Sequence, residues 1–219
     1  MLQPSTLSFI KDIKKNNNRD WFEKNKLRYE NAKTDFESFV AGILNQFVKI
    51  NPKLKGLEAR KCTFRIYRDV RFSKNKDPYK TNMGASINEG GKKMEMAGVY
   101  VHIEPGGNSF IAGGRYMPMP PELKAIRQEI QYNTKAFKKI ISEKNFKKYF
   151  GGLEEIKLKT NPKGFDKDFA DIELLKYTSY IATRKLDDKT IASKNFVKEL
   201  TASYKAMMPL IKFLNEAVR

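Results

Sequence analysis

The chain has 219 residues, of which 40% are hydrophobic and 12% aromatic, enough to bury a substantial core and to exclude wholesale disorder. Its 43 Lys and Arg against 25 Asp and Glu give a net charge of +18, spread as +5 over residues 1–60, +5 over 61–118 and +8 over 119–219. So even an excess suits a lysine-rich solvated surface as well as a nucleic-acid footprint, although it would attract polyanions in low salt. No apolar run approaches the ~18–20 residues of a membrane-spanning helix, so no membrane partner is expected. Residues 1–6 lack the charged-then-apolar layout of a secretory signal, and the single cysteine, Cys62, excludes a disulfide framework or a cysteine-based zinc site within one chain. A cytoplasmic location is the expectation.

Residues 6–16 read as a short helix with Leu7, Phe9, Ile10 and Ile13 inward. Asn16-Asn17-Asn18 interrupts it, and Asn18 is suited to cap a long amphipathic helix over 19–48. There Phe22, Tyr29, Phe36, Phe39, Ile43 and Phe47 recur at helical steps and, with Trp21, read as core anchors. After Lys55-Gly56 the period changes to two. Cys62, Phe64, Ile66, Val70 and Phe72 alternate with Thr63, Arg65, Tyr67, Asp69 and Arg71, which predicts a half-buried strand. Further strands are predicted at 82–88, 94–104 and 109–113, with hairpin turns at Glu89-Gly90-Gly91-Lys92 and Pro105-Gly106-Gly107-Asn108. Loops that short favour an antiparallel meander.

A proline-rich entry at 115–121 leads to a helix starting near Pro121, and a second helix is predicted over 134–150, stopping at Gly151-Gly152. Residues 153–192 mix an extended piece at 156–159, a turn at Pro162-Lys163-Gly164-Phe165, a short helix at 172–176 and a strand at 178–184. A last helix over 193–217 contains Pro209, which predicts a kink. The reading is a single α+β domain over 1–219, helical over residues 1–60, a strand meander over 61–114, and helical and mixed over 115–219. Its antiparallel sheet of about four or more strands packs against helices, the long ones lying toward the two ends.

Arginine carries the first functional signal. Only 10 of the 43 basic residues are Arg, yet Arg60, Arg65, Arg68 and Arg71 fall within twelve consecutive positions. Guanidinium is a rigid fork suited to phosphate or carboxylate, whereas lysine is a flexible hydrated point charge. On a strand, Arg65, Tyr67, Asp69 and Arg71 would share one face at spacings of about 6.6 Å. Lys76, Tyr79 and Lys80 follow on the loop, so several groups could hold one anion. Asp69 would neutralise an Arg or act as a base. Arg68 falls on the otherwise apolar face, which requires a buried carboxylate partner or a bulge that turns it outward. The same residues can equally form a solvated sheet face tied by salt bridges.

His102, the sole histidine, shares the polar face of its strand with Tyr100 and Glu104 and is the side chain poised to titrate near neutrality. It and Asp69 are the acid–base candidates; an ordinary hydrogen-bonded sheet histidine is the alternative. One His with scattered carboxylates makes no transition-metal signature, and no cofactor is named by these residues. The glycine doublets match neither a P-loop nor a dinucleotide fingerprint, although Arg115-Tyr116 beside one of them suits the rim of a site. Six lysines between Lys135 and Lys148 face only Glu143; they read as solvated helix surface, with polyanion binding as the alternative.

Asn17-Asn18-Arg19-Asp20-Trp21-Phe22 and the block from Arg65 to Ser73, followed by Lys76 and Pro78-Tyr79-Lys80, resemble the domain-of-unknown-function family numbered 2461. Gly98-Val99-Tyr100-Val101-His102, Pro162-Lys163-Gly164-Phe165 and Leu174-Leu175-Lys176 follow in that family's order, so the likeness runs from about Thr6 to Val218. Asp20 and Phe165 depart mildly from the Glu and Tyr more usual there. The resemblance implies one domain in a cytoplasmic microbial protein and supplies no activity, cofactor or catalytic residue. The expectation drawn from the residues themselves is a cleft over the sheet for a small anionic ligand, phosphorylated or carboxylated. Arg65, Tyr67, Arg68, Arg71, Lys76, Tyr79, Lys80, Arg115 and Tyr116 are the candidate contacts, and an enzyme is possible. A nucleic-acid or polyphosphate binder and a non-catalytic interaction module are the alternatives.

Overall fold

The computed structural model describes residues 1–91 and 96–219. In chain order the leading helical region comprises α1 (Pro4–Lys15), α2 (Arg19–Lys24), α3 (Lys26–Phe47), a 3-10 turn (Pro52–Leu54) and α4 (Ala59–Cys62). The sheet begins with β1 (Met83–Ile87), β2 (Gly98–Ile103) and β3 (Ser109–Arg115). Then come α5 (Pro120–Tyr132), α6 (Thr134–Ser142), α7 (Lys144–Phe150) and α8 (Ile172–Leu175), followed by β4 (Tyr180–Leu186), α9 (Asp188–Ile191) and α10 (Phe196–Ala217). The strands lie in the order β1-β2-β3-β4, every neighbour antiparallel. This is an α+β architecture. Among the described residues no helix is long and apolar enough to cross a membrane.

Polar side chains break two of the expected helices. Asn25 separates α2 from α3, its amide donating to the Trp21 carbonyl at 2.9 Å, while Asn18 accepts from the Trp21 N–H to cap α2. Glu143 divides α6 from α7 by accepting the Asn145 and Phe146 N–H groups, a carboxylate N-cap that the helix macrodipole also favours. In contrast, α10 runs from Phe196 to Ala217 with Pro209 inside it.

One predicted strand is absent. Residues 63–82 form a looped segment along the β1 edge, held by isolated bridges, Thr63 to Ala85 and Tyr67 to Tyr79, and the fourth strand of the sheet is β4, at the opposite edge beside β3. Only part of the alternation faces the core: Cys62 and Ile66 are buried, whereas Phe72 is 95% exposed and Phe64 38%. The chain turns where Asp69 accepts the Arg71 N–H and Ser73 N–H reaches the Val70 carbonyl, so alternation there ran across a turn. Lys92, the last residue of the first predicted hairpin turn, and residues 94 and 95 of the strand predicted over 94–104 lie outside the described residues.

α3 and α10 cover one face of the sheet. Phe47 stacks on Tyr204 at 3.8 Å between centroids, and Phe39 on Phe196 at 5.1 Å. Val99, Val101, Ile103, Ile111, Tyr180 and Ala182 point into this layer and are buried. Gly113 lets α10 approach, because a Cβ there would stand 2.6 Å from Met207 Cγ.

Candidate functional site

The opposite face of the sheet follows from the same alternation. In β2 and β3 the intermediate positions Tyr100, His102, Phe110 and Ala112 interleave with the buried ones, and Ile181 and Thr183 do so in β4. The pairing register sets them in rows: Gly84, His102, Phe110, then Ser86, Tyr100, Ala112, Thr183, then Gly98, Gly114, Ile181. Over this face lies a cleft of about 900 Å³ to which, among the described residues, no helical residue contributes. Its walls are irregular segments that cap both sheet edges, as exposed edges require. Beside β1, the Phe64 N–H donates to the Gly84 carbonyl; beside β4, the Glu154 N–H donates to the Ile181 carbonyl.

Several of the residues singled out in the sequence meet here. Arg68, Asp69, Lys80, His102, Arg115 and Tyr116 all line the cleft. Arg68 escapes the apolar burial that its strand position implied, because the segment is a loop. Its guanidinium donates to the Asp77 carbonyl at 2.9 Å and the Ser73 hydroxyl at 3.3 Å, which pins the loop and holds the side chain at the cleft mouth. Lys80 is half-buried, with Nζ 5.3 Å from the Phe64 ring centroid. Among the described residues no acid stands within ion-pair distance of it. Burial, reinforced by the charge of Arg65, holds the Lys80 amine below the usual lysine range.

The remaining candidates are committed elsewhere. Arg71 forms a two-point pair with Asp69 at 2.7 and 3.0 Å on the exposed loop, which lowers the Asp69 carboxyl. Arg115 is 5% exposed and clamped by Glu122 at 2.5 and 2.6 Å, so its charge is already matched. Tyr79 is buried with its ring stacked on Phe22 at 4.0 Å, and Tyr67 leans edge-on against the same Phe22. Lys76 braces the loop by donating to the Val70 carbonyl. Arg65 is exposed, outside the cleft lining. The expected common face of Arg65, Tyr67, Asp69 and Arg71 therefore does not form.

The family model described as Conserved hypothetical protein (DUF2461) matches residues 5–213. The chain belongs to this family. No curated protein and no solved structure matches it.

The most ordered polar chemistry in this DUF2461 protein surrounds His102. Nε2 lies 3.1 Å from Glu104 Oε2, and Nδ1 lies 3.2 Å from Asn82 Nδ2 and 3.3 Å from the Tyr100 hydroxyl. A carboxylate only accepts, so the network assigns the ring proton to Nε2 and leaves Nδ1 as an acceptor for Asn82 or Tyr100. Glu104 also accepts from Lys14 at 2.8 Å and Thr81 at 3.3 Å. Burial alone would raise its carboxyl, but the bonds from Lys14 and His102 prevail and hold it below the usual range. Burial pushes the Tyr100 phenol up. Gly84 makes the arrangement possible, because a Cβ there would collide with the Tyr100 hydroxyl. A carboxylate–imidazole–phenol line opening into a cleft can position and pass a proton. Among the described residues no three His, Cys, Asp or Glu side chains cluster to hold a metal ion.

Several lining residues escaped the sequence reading, among them Phe64, Asn82, Ser86, Phe110, Ala112, Ile156 and Thr183. A signal existed for Phe110, an aromatic set opposite buried Ser109 and Ile111 in a strict alternation. None existed for Ile156 or Asn82, whose place depends on how the edge segments fold back.

Proposed function

We propose that the cleft binds a small anionic molecule, phosphorylated or carboxylated, with Lys80 and Arg68 supplying the charge. The observation that carries this is Lys80 itself: a half-buried ammonium over the cleft with no acid in ion-pair reach among the described residues. A desolvated cation without a partner is costly, and an incoming anion removes that cost. A volume of about 900 Å³ lies within the range of small-molecule sites, roughly 300–1,000 Å³.

Calorimetric titration with inorganic phosphate and with citrate tests the proposal. Binding is expected to vanish in Lys80→Met and to weaken in Arg68→Met, while Arg71→Met, on the outer loop, binds as the wild type does. Binding that survives Lys80→Met together with Arg68→Met would falsify the assignment. A compact site also loses little affinity between low and physiological salt, whereas a polyanion-binding surface loses several orders of magnitude.

A further inference from the structure

We infer that the ligand is an anion carrying a planar ring system, with its acid group beside Lys80 and Arg68 and its ring on the sheet. This deepens the anion-binding reading and rests on it. Two hollows meet at the site. The large cleft adjoins a smaller one of about 200 Å³, and Arg68, Lys80 and Asn82 line both. The smaller hollow is otherwise lined by Asn17, Asn75, Thr81, Tyr79 and one acid, Asp77. It has the size and chemistry for a phosphate or carboxylate. The larger one has the chemistry for something flat and apolar.

The large hollow is lined by rings and by small residues. Phe110 and His102 are direct cross-strand partners whose rings stack face to face at 4.5 Å and 12°, an aromatic pair in the lining of the cleft. Tyr100 stands beside Phe110 at 5.8 Å and Phe64 beside Tyr100 at 6.0 Å, so aromatic surface continues up to the ring that Lys80 covers. Next to these rings the register places small residues across the strands, Ser86, Ala112, Gly98 and Gly114. Aromatic side chains beside these small residues leave open volume over the sheet next to the rings. Aromatic side chains gain from a further ring placed offset-stacked or edge-on beyond the area it buries. A charged head with a ring attached reaches the shared wall of Arg68, Lys80 and Asn82 and the aromatic lining of the large cleft together.

Methyl, phenyl and 2-naphthyl phosphate share one head and differ in ring area, so titrating the full chain with all three separates the two claims. Affinity is expected to rise about tenfold from methyl to phenyl phosphate, the gain of one stacked ring, and to rise again with naphthyl. Ala112→Phe fills the floor and should erase that gain. Lys80→Met should abolish binding of all three. The single histidine gives a second readout: naphthyl phosphate should shift the His102 ring protons of the wild-type protein by ring current, and methyl phosphate should not. Equal affinities for the three phosphates, or a ring-dependent gain with unmoved His102 resonances and no loss in Ala112→Phe, overturns the ring while leaving anion binding standing. Silence from all three removes the anion site, and the ring inference with it.

Discussion

The two faces of this sheet carry the same alternation and have opposite fates. On one, Val101, Ile103 and Ile111 vanish beneath α3 and α10, where Phe47 and Phe39 stack on Tyr204 and Phe196. On the other, Tyr100, His102 and Phe110 stay half-covered beneath a cleft walled by edge segments. The covered face buries apolar area and stabilises. The open face keeps aromatic surface and an unmatched cation within reach of solvent, an arrangement that lowers stability and suits a binding site.

That contrast can be broken most forcefully by truncating one aromatic on each face. Phe47→Ala should cost about 3–5 kcal/mol in denaturant unfolding, since it removes a fully buried ring. Phe110→Ala should cost only about 1–2 kcal/mol, the ordinary range for a partly covered residue. Equal losses would mean that the open face is as much a core as the other.

Glu104→Gln should lower stability by about 2 kcal/mol near neutral pH, because it weakens the bonds from Lys14 and His102 to a mostly buried carboxylate. The Glu104 carboxyl lies below its ordinary range when folded. Its contribution is therefore complete above the unfolded value of about 4.3 and disappears as pH falls through the folded one. Melting curves of both proteins should converge in acid; a gap that persists at low pH would show that the ionised form is not what matters.

Lys80→Met should act in the other direction, raising stability by up to about 1 kcal/mol while abolishing anion binding. Burial and Arg65 disfavour the protonated amine in the folded chain. The gain is therefore full below the folded pKa and fades as pH climbs toward the unfolded value of about 10.4. A destabilised Lys80→Met would make this residue structural. The smallest effect is spectroscopic: nitrogen shifts of labelled His102 should report the proton on Nε2, and Asn82→Ala should leave it there, because Glu104 still accepts it.

Much of the fold was legible because it rests on local pattern. The three-four spacing of Phe36, Phe39, Ile43 and Phe47, the Asn18 cap and the alternation through Val99, Val101 and Ile103 each report a buried stripe in a short stretch of chain. The site was less legible. Arg65, Tyr67, Asp69 and Arg71 alternate as a strand would, yet a side-chain turn at Asp69 bends them into a loop. Arg115 suited a rim until Glu122, seven residues on, closed on it. His102 was found because its strand's polar face survived intact, whereas Phe110 needed its pairing to His102 before its role was visible.

Composition and periodicity alone determined that this chain folds as an α+β protein, with aromatic-striped helices and short antiparallel strands. Burial of an apolar stripe is a local, repeated demand, and the residue order records it directly. Which basic groups keep their charge unmatched was decided only in three dimensions. An ion pair forms between whichever groups the folded backbone brings within about 4 Å. By that rule Arg71 and Arg115 found carboxylates, while Lys80 came to rest on Phe64 above an open sheet.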